Sequence, residues 1–416
     1  MPPNDTLTMP RTPDLLGDYE PGAFFFTSPA RTLLARGVHR TISASSAGDL
    51  RRCVASALRD AREAGHPDPM VVGAVPFRDD RPARLLVPAT VRRTGPANGR
   101  VSGPAPGPAG PERTGGTSTP FTPFTGFTGF TGFGPVPAPD DYLRGVEKAL
   151  TRLTAGELTK IVLARALDVT LGAPVDVRRV LRNLVRRDPQ AYGYAVDLPV
   201  PGGRPGTGTR TLLGASPELL VARSGRRITT NPLAGSASRH PDPVVDSERG
   251  RALLTSDKDL REHALVIENI VEALRPYCRD LTVPAGPSLL STASMWHLST
   301  RITGVLDDPA VTSLELATLL HPTPAVCGTP ARAARRAIEE IEPFDRGLYA
   351  GLVGWGDITG DGEWVVTIRC AEVADQTLRL FAGAGIVAGS VPESELAETT
   401  AKFQTMLRAV GLDRDR

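Results

Sequence analysis

The stretch from Thr94 to Pro139 is dense in Gly, Pro, Ser and Thr and includes TPFTPFTGFTGFTGFG, a Thr-Gly-Phe repeat from Thr119 to Gly134. Such a composition buries too little apolar surface to offset the entropy of ordering it. Residues 94–139 are therefore expected to form a flexible insertion, and any core must be assembled from the patterned chain on either side. Phe121, Phe124, Phe127, Phe130 and Phe133 recur at a fixed interval along it, a spacing that suits a linker expansion or a partner-docking motif. A shorter break, Pro199-Val-Pro-Gly-Gly-Arg-Pro-Gly-Thr-Gly, reads as a lengthened hairpin loop between strands near Tyr192 to Asp197 and Thr211 to Leu213.

Beyond the insertion the pattern is regular. Asp140 or Asp141 is placed to cap a helix carrying Leu143, Val146, Leu150 and Leu153 and ending near Gly156. Leu158-Thr-Lys-Ile-Val-Leu-Ala-Arg-Ala-Leu has the β-branched, apolar character of a buried strand. A long helical pattern runs from about Asp246 to Tyr277. At the C-terminal end, Ser390-Val391-Pro392-Glu393 predicts a capping box with proline just inside a helix, and Leu396, Thr399, Phe403, Met406, Leu407 and Val410 follow at helical spacing.

Composition narrows the function classes. Among 416 residues, 48 Lys and Arg against 46 Asp and Glu leave the charge nearly balanced, and no basic tract or aromatic stripe recommends nucleic acid. No apolar run approaches the roughly 20 residues that span a bilayer. The N-terminal MPPNDTLTMPRTPDLLGDYE lacks the basic start and apolar core of a signal peptide, so a cytoplasmic location is expected. Cys53, Cys278, Cys327 and Cys370 are far apart with no CxxC or Cys/His spacing, and are read as reduced thiols.

Several charged residues stand where the pattern is otherwise apolar. Lys160 opens the buried strand, Glu218 interrupts Leu212-Leu-Gly-Ala-Ser-Pro-Glu-Leu-Leu-Val, and Arg369 follows the strand-like Trp364 to Ile368. A carboxyl group in apolar surroundings can serve as a general acid. A guanidinium in such a place usually has a carboxylate partner, from protein or ligand. Gly383-Ala384-Gly385 reads as a glycine-rich turn where backbone can approach a ligand closely. On the C-terminal helix Glu395 and Glu398 are i,i+3 neighbours with Lys402 a turn further along, which fits either a metal-held acidic ligand or a solvated face. Spacing does not single out Glu262 from Asp259 and Glu268 on its own helix.

Taken in order, Lys160-Ile-Val-Leu-Ala-Arg165, Gly214-Ala-Ser-Pro-Glu-Leu-Leu220, Pro232-Leu-Ala-Gly-Ser-Ala237, Arg261-Glu-His-Ala-Leu-Val266, His321-Pro-Thr-Pro-Ala-Val-Cys-Gly328 and the tract Thr367 to Leu407 resemble the chorismate-utilising enzymes. That family includes anthranilate, aminodeoxychorismate, salicylate and isochorismate synthases. The HPTPA block and Pro232-Leu-Ala-Gly-Ser-Ala look most like isochorismate synthases, and the N-terminal Phe24 to Gly37 is similar to those of catechol siderophore pathways, which make 2,3-dihydroxybenzoate. Cys327 departs from the serine that related sequences often carry.

The resemblance implies an α+β fold: a four-layer αββα sandwich with two large, mostly antiparallel sheets inside and helices outside, in a single chorismate-binding catalytic domain over 15–412. It implies Mg²⁺-dependent conversion of chorismate to isochorismate, with Lys160 as base and Glu218 as acid. Glu262 and Glu398 are the expected metal ligands, with Glu395 binding directly or through water. Arg369, Gly383, Ala384 and Lys402 are expected at the enolpyruvyl carboxylate, and Gly235, Ser236, His321, Thr323 and Ala325 around the ring. A purely structural role for His321 stays open. A downstream isochorismatase is implied, and no glutamine amidotransferase subunit. Salicylate formation, amine addition and non-catalytic chorismate binding are the family's other possibilities.

Overall fold

The computed structural model describes residues 14–44, 47–96, 130–198 and 210–412. A 10-stranded sheet runs in the order Gly328–Thr329, Lys160–Leu171, Thr377–Ile386, Cys370–Ala374, Arg210–Ser216, Tyr192–Leu198, Phe24–Thr27, Thr32–Arg36 and Thr90–Thr94, with Phe130–Val136 also paired to Lys160–Leu171. A 9-stranded sheet contains Cys278–Thr282, Ile302–Leu306, Arg227–Asn231, Leu219–Ser224, Gly362–Val366, Leu352–Asp357, Met70–Val75, Arg84–Val87 and Arg40–Ile42. A 3-stranded sheet joins Leu233–Ser238, Met295–Ser299 and Ser288–Ser291. The long central pairing, Lys160–Leu171 with Thr377–Ile386, is antiparallel, as are its neighbours.

The period-2 alternation of strand side chains sets the layers. Phe24, Phe26 and Leu33 of the first sheet share an apolar core with Val72, Leu85 and Trp364 of the second. The intervening Phe25 and Leu34 face the other way, onto Val180, Leu181 and Leu184 of the helix Val177–Arg187 and Phe403, Met406 and Leu407 of the helix Pro392–Val410. Ala47–Glu63 and Ser313–Leu320 pack on the second sheet. The expected αββα arrangement is the one found.

Local expectations fare unevenly. Phe130–Val136, expected within the flexible insertion, is a strand whose Phe133 pairs with Val169. A partner strand supplies the backbone hydrogen bonds that composition cannot foresee. Phe121, Phe124 and Phe127 lie outside the described residues. The helix Pro139–Thr154 is entered through Ala138 and Pro139 with no side-chain cap, so Asp140 and Asp141 fall in its first turn. The pattern from Asp246 to Tyr277 breaks into Pro243–Leu253, Asp257–Leu274 and a short 3₁₀ turn, because Ser256 accepts from the Asp259 N–H and starts a new helix. Ser390 does not cap the C-terminal helix: Val391 holds that position, and the Ser390 hydroxyl accepts from the Val387 N–H instead. The Gly383 to Gly385 segment is strand, not turn.

One buried ion pair fixes the strand Lys160–Leu171 to the segment at Val326. Arg346 and Glu342, one helical turn apart in sequence, are 3% and 9% exposed. The Arg346 Nε donates to Glu342 Oε2 at 2.8 Å, Nη1 to the Val326 carbonyl at 2.8 Å and Nη2 to the Val162 carbonyl at 2.7 Å. Glu342 Oε1 in turn accepts from the Ala164 N–H at 2.7 Å. Removing the carboxylate would strand a buried guanidinium, an effect on the order of 3–5 kcal/mol. Glu342→Ala is therefore expected to lower stability by about that much in urea unfolding, and a loss within ~0.5 kcal/mol would contradict the pair's structural role.

Candidate active site

Two of the sequence-predicted residues sit where the chain passes between sheets. Pro217 and Glu218 link Arg210–Ser216 of the first sheet to Leu219–Ser224 of the second, and Thr367 to Arg369 link Gly362–Val366 of the second back to Cys370–Ala374 of the first. The crossings are bonded to each other: the Ala215 N–H donates to the Arg369 carbonyl at 3.1 Å, and the Val366 N–H to the Glu218 carbonyl at 3.2 Å. Arg369 has φ of 51°. A left-handed backbone at a non-glycine residue is sparsely populated and persists where its surroundings hold it.

The central strand pair brings in the next group. Val162 pairs with Gly385 and Ala164 with Gly383, so both glycines face the same side as the Lys160 side chain, while Ala384 points to the opposite face. A Cβ on Gly385 would stand 2.2 Å from Glu262 Oε1 and 3.1 Å from Lys160 Cε. Lys160 is fully buried and its Nζ lies 3.0 Å from Glu262 Oε1, an ion pair without hydrogen-bond alignment. His263 locks the helix beside Glu262: Nδ1 donates to the Ala234 carbonyl at 3.2 Å, and Nε2 accepts from Thr300 Oγ1 at 2.7 Å. Burial pushes the His263 pKa down to about 4, consistent with this neutral tautomer.

The C-terminal helix and the three-stranded sheet close the other sides. Glu398 accepts from Ser236 Oγ at 2.8 Å and pairs with Lys402 at 2.5 Å, and Lys402 Nζ also donates to the Gly383 carbonyl at 2.8 Å. Arg165, fully buried, donates from Nη1 to Thr399 and Thr400 and holds this helix against the strand.

Glu218, Gly235, Ser236, Glu262, Ala325, Arg369, Gly383, Glu398 and Lys402 thus line one cavity, with Lys160 behind Glu262. Besides Lys160, four expected residues do not line it. His321 faces a separate cavity beside Arg78 and Arg335, its Nε2 3.3 Å from the Phe77 carbonyl, with burial lowering its pKa to about 4. Thr323 is a buried turn residue whose carbonyl accepts from Val326 and Cys327. Ala384 packs into the core. Glu395, 1% exposed, is held by Lys258 at 2.7 Å. His297 and Tyr349 line the cavity although no motif marks them; for His297 the available signal was a histidine within the alternating strand Met295–Ser299.

Electrostatics divide the cavity. Burial raises the Glu218 pKa to about 7, against the opposing pull of the Leu233 backbone, Lys160 and Arg369. Burial also opposes ionisation of Glu398, but Lys402 and Ser236 outweigh it and hold that carboxyl below its usual range. The Arg369 Nη2 donates to His297 Nε2 at 3.3 Å, and its buried Nε has no hydrogen-bond partner. Burial, then Arg369 and Lys402, keep His297 neutral. A buried guanidinium facing a neutral ring is a receptor for an anion. Oxygen donors from Glu262 and Glu398 facing one space suit a hard divalent cation that keeps waters, such as Mg²⁺. The missing Cβ at Gly385 leaves Glu262 Oε1 the room that such coordination needs.

Gly385→Ala should accordingly cut turnover at least about a hundredfold, because the methyl would overlap the Glu262 carboxylate and crowd Lys160. The check is a steady-state assay beside a thermal melt, and near-normal turnover would refute this placement of the site.

The family described as chorismate binding enzyme matches residues 134–411. Isochorismate synthase DhbC of Bacillus subtilis (strain 168) is 49% identical over 413 residues, 98% of each chain. Isochorismate synthase EntC of Escherichia coli (strain K12) is 37% identical over 414 residues, 98% of this chain and 100% of EntC. The crystal structure of the putative 2,3-dihydroxybenzoate-specific isochorismate synthase DhbC from Bacillus anthracis superposes with a TM-score of 0.85 at 46% identity, covering 96% of this chain and 99% of the other. A match that spans both sheets and every strand bordering the cavity identifies the protein as a member of the chorismate binding enzyme family.

Proposed function

We propose that this protein converts chorismate to isochorismate, supplying 2,3-dihydroxybenzoate formation through a downstream isochorismatase. The observation that carries the reaction chemistry is the Glu218 carboxyl, its pKa raised by burial to about 7, lining the same cavity as Glu262, with Lys160 3.0 Å behind Glu262. Water adds at C2 and yields a proton to Lys160, which must stand as the neutral amine at that moment, the ring double bonds shift, and the C4–O bond breaks as Glu218 protonates the departing hydroxyl. One water enters and one leaves, so no redox partner or nitrogen donor is required. Each proton transfer is worth on the order of 10²–10⁴ in rate.

Arg369 binds the enolpyruvyl carboxylate, its unpartnered Nε and the neutral His297 leaving it free for a ligand anion. Glu262 and Glu398 would hold Mg²⁺, with Glu395 joining directly or through water. When bound, that ion supplies the positive charge that lets the ring carboxylate lie among glutamates. Ser236 and Lys402 orient Glu398 for this task. Among the described residues no helix is long and apolar enough to cross a membrane.

Incubation of the purified protein with chorismate and Mg²⁺, with and without ammonia, should yield isochorismate in both cases. Salicylate, an aminated ring or no turnover would each refute the assignment. Glu218→Gln is expected to lower turnover by roughly 10²–10⁴ with the fold intact by circular dichroism.

The pH profile follows from the raised Glu218 pKa. The acid form is present below about pH 7 and lost above it, so turnover should fall roughly tenfold per unit on the alkaline side. Stopped assays across pH 6 to 9 check this; in Glu218→Gln that limb should vanish from whatever activity remains.

A further inference from the structure

Every candidate metal carboxylate stands against a lysine: Glu262 with Lys160 at 3.0 Å, Glu398 with Lys402 at 2.5 Å and Glu395 with Lys258 at 2.7 Å. Lys160 and Lys402 have tasks at the cavity. Lys258 has none there. It precedes Glu262 by one turn on the helix Asp257–Leu274 and reaches across to the C-terminal helix, where it holds a carboxylate that is 1% exposed. Glu262 and Glu398 also act electrostatically on its ammonium. Among the described residues no three His, Cys, Asp or Glu side chains are grouped to hold a metal.

The three lysines differ in one respect that decides their roles. The Lys160 side chain is 0% exposed and that of Lys402 12%, whereas Lys258 is 31% exposed. A long side chain already in contact with water can carry its charge outward at little cost, and the fully buried one cannot. Lys258 is the cation that can leave.

We propose that Lys258 is a built-in competitor for the divalent cation: its ammonium occupies Glu395 until a metal ion displaces it, which weakens metal binding in the absence of substrate. This rests on the metal reading given above. Repulsion between an ammonium and a divalent ion at adjoining oxygens of a partly buried site is large, so metal entry requires the Lys258–Glu395 pair to open. Once chorismate adds its own carboxylate to the cluster, the balance of charge shifts toward the metal. Lys258 is thus a positioning residue, acting through Glu395.

The test is a Mg²⁺ titration of the full chain by calorimetry, repeated with Mn²⁺ followed by the paramagnetic resonance of the free ion. Without chorismate, Lys258→Met should bind either metal at least about tenfold tighter than the unsubstituted protein. Lys258→Arg should remain weak, and Lys258→Met combined with Glu395→Gln should lose the gain. Unchanged or weaker binding in Lys258→Met, with native circular dichroism, overturns the proposal; Lys258→Gln serves if the methionine variant does not fold. Failure of the unsubstituted protein to bind metal even with chorismate present would instead overturn the metal reading, and this inference with it.

Discussion

The interaction on which the site depends is the Arg346–Glu342 ion pair. A guanidinium with such low exposure would be strongly unfavourable alone. Here its donors are used by Glu342 and by the carbonyls of Val162 and Val326, while Glu342 takes the Ala164 N–H as well. The pair therefore fixes the strand that begins with Lys160 to the segment carrying Ala325. Both line or flank the cavity, and neither could be held there by apolar packing alone, which lacks direction.

The second constraint is topological. Glu218 and Arg369 occupy links where the chain leaves one large sheet for the other, and the links hydrogen-bond to each other. Residues inside a paired strand must alternate between two faces, but a link between sheets is released from that rule and can aim a polar side chain into the gap. The charged interruptions of apolar sequence at 218 and 369 mark these crossings. That is why Glu218 and Arg369, far apart in sequence, line the same cavity.

Much of this was legible in the sequence. Lys160, Glu218 and Arg369 stood out because each broke an apolar run, and β-branched, apolar composition marked the strand that begins at Lys160. Glu262 was not separable from Asp259 and Glu268 by spacing; the family resemblance pointed to it, and the fold distinguishes it by setting it against Gly385. What stayed hidden depended on distant partners. His321 belongs to a conspicuous block, yet the Phe77 carbonyl, far away in sequence, turns its ring toward another cavity. Glu395 follows helical spacing but is claimed by Lys258 from a different helix. Ser390 has the chemistry of a cap and spends its hydroxyl on Val387. His297 had no signal beyond its residue type, since only the pairing of Ser236 with His297 brings it to the cavity.

Gly383 and Gly385 give the cavity one wall with almost no side chains, built from main-chain atoms of a strand bonded along its whole length. Such a wall cannot be reshaped by a rotamer change, and adding even a methyl at 385 obstructs it. Adjustment to rings of different size or substitution must come from the side chains that line the rest of the cavity, among them Ser236 and His297 of the small three-stranded sheet. A ligand that enters meets a fixed main-chain surface on that side, and selectivity can drift only through the side chains around the remainder.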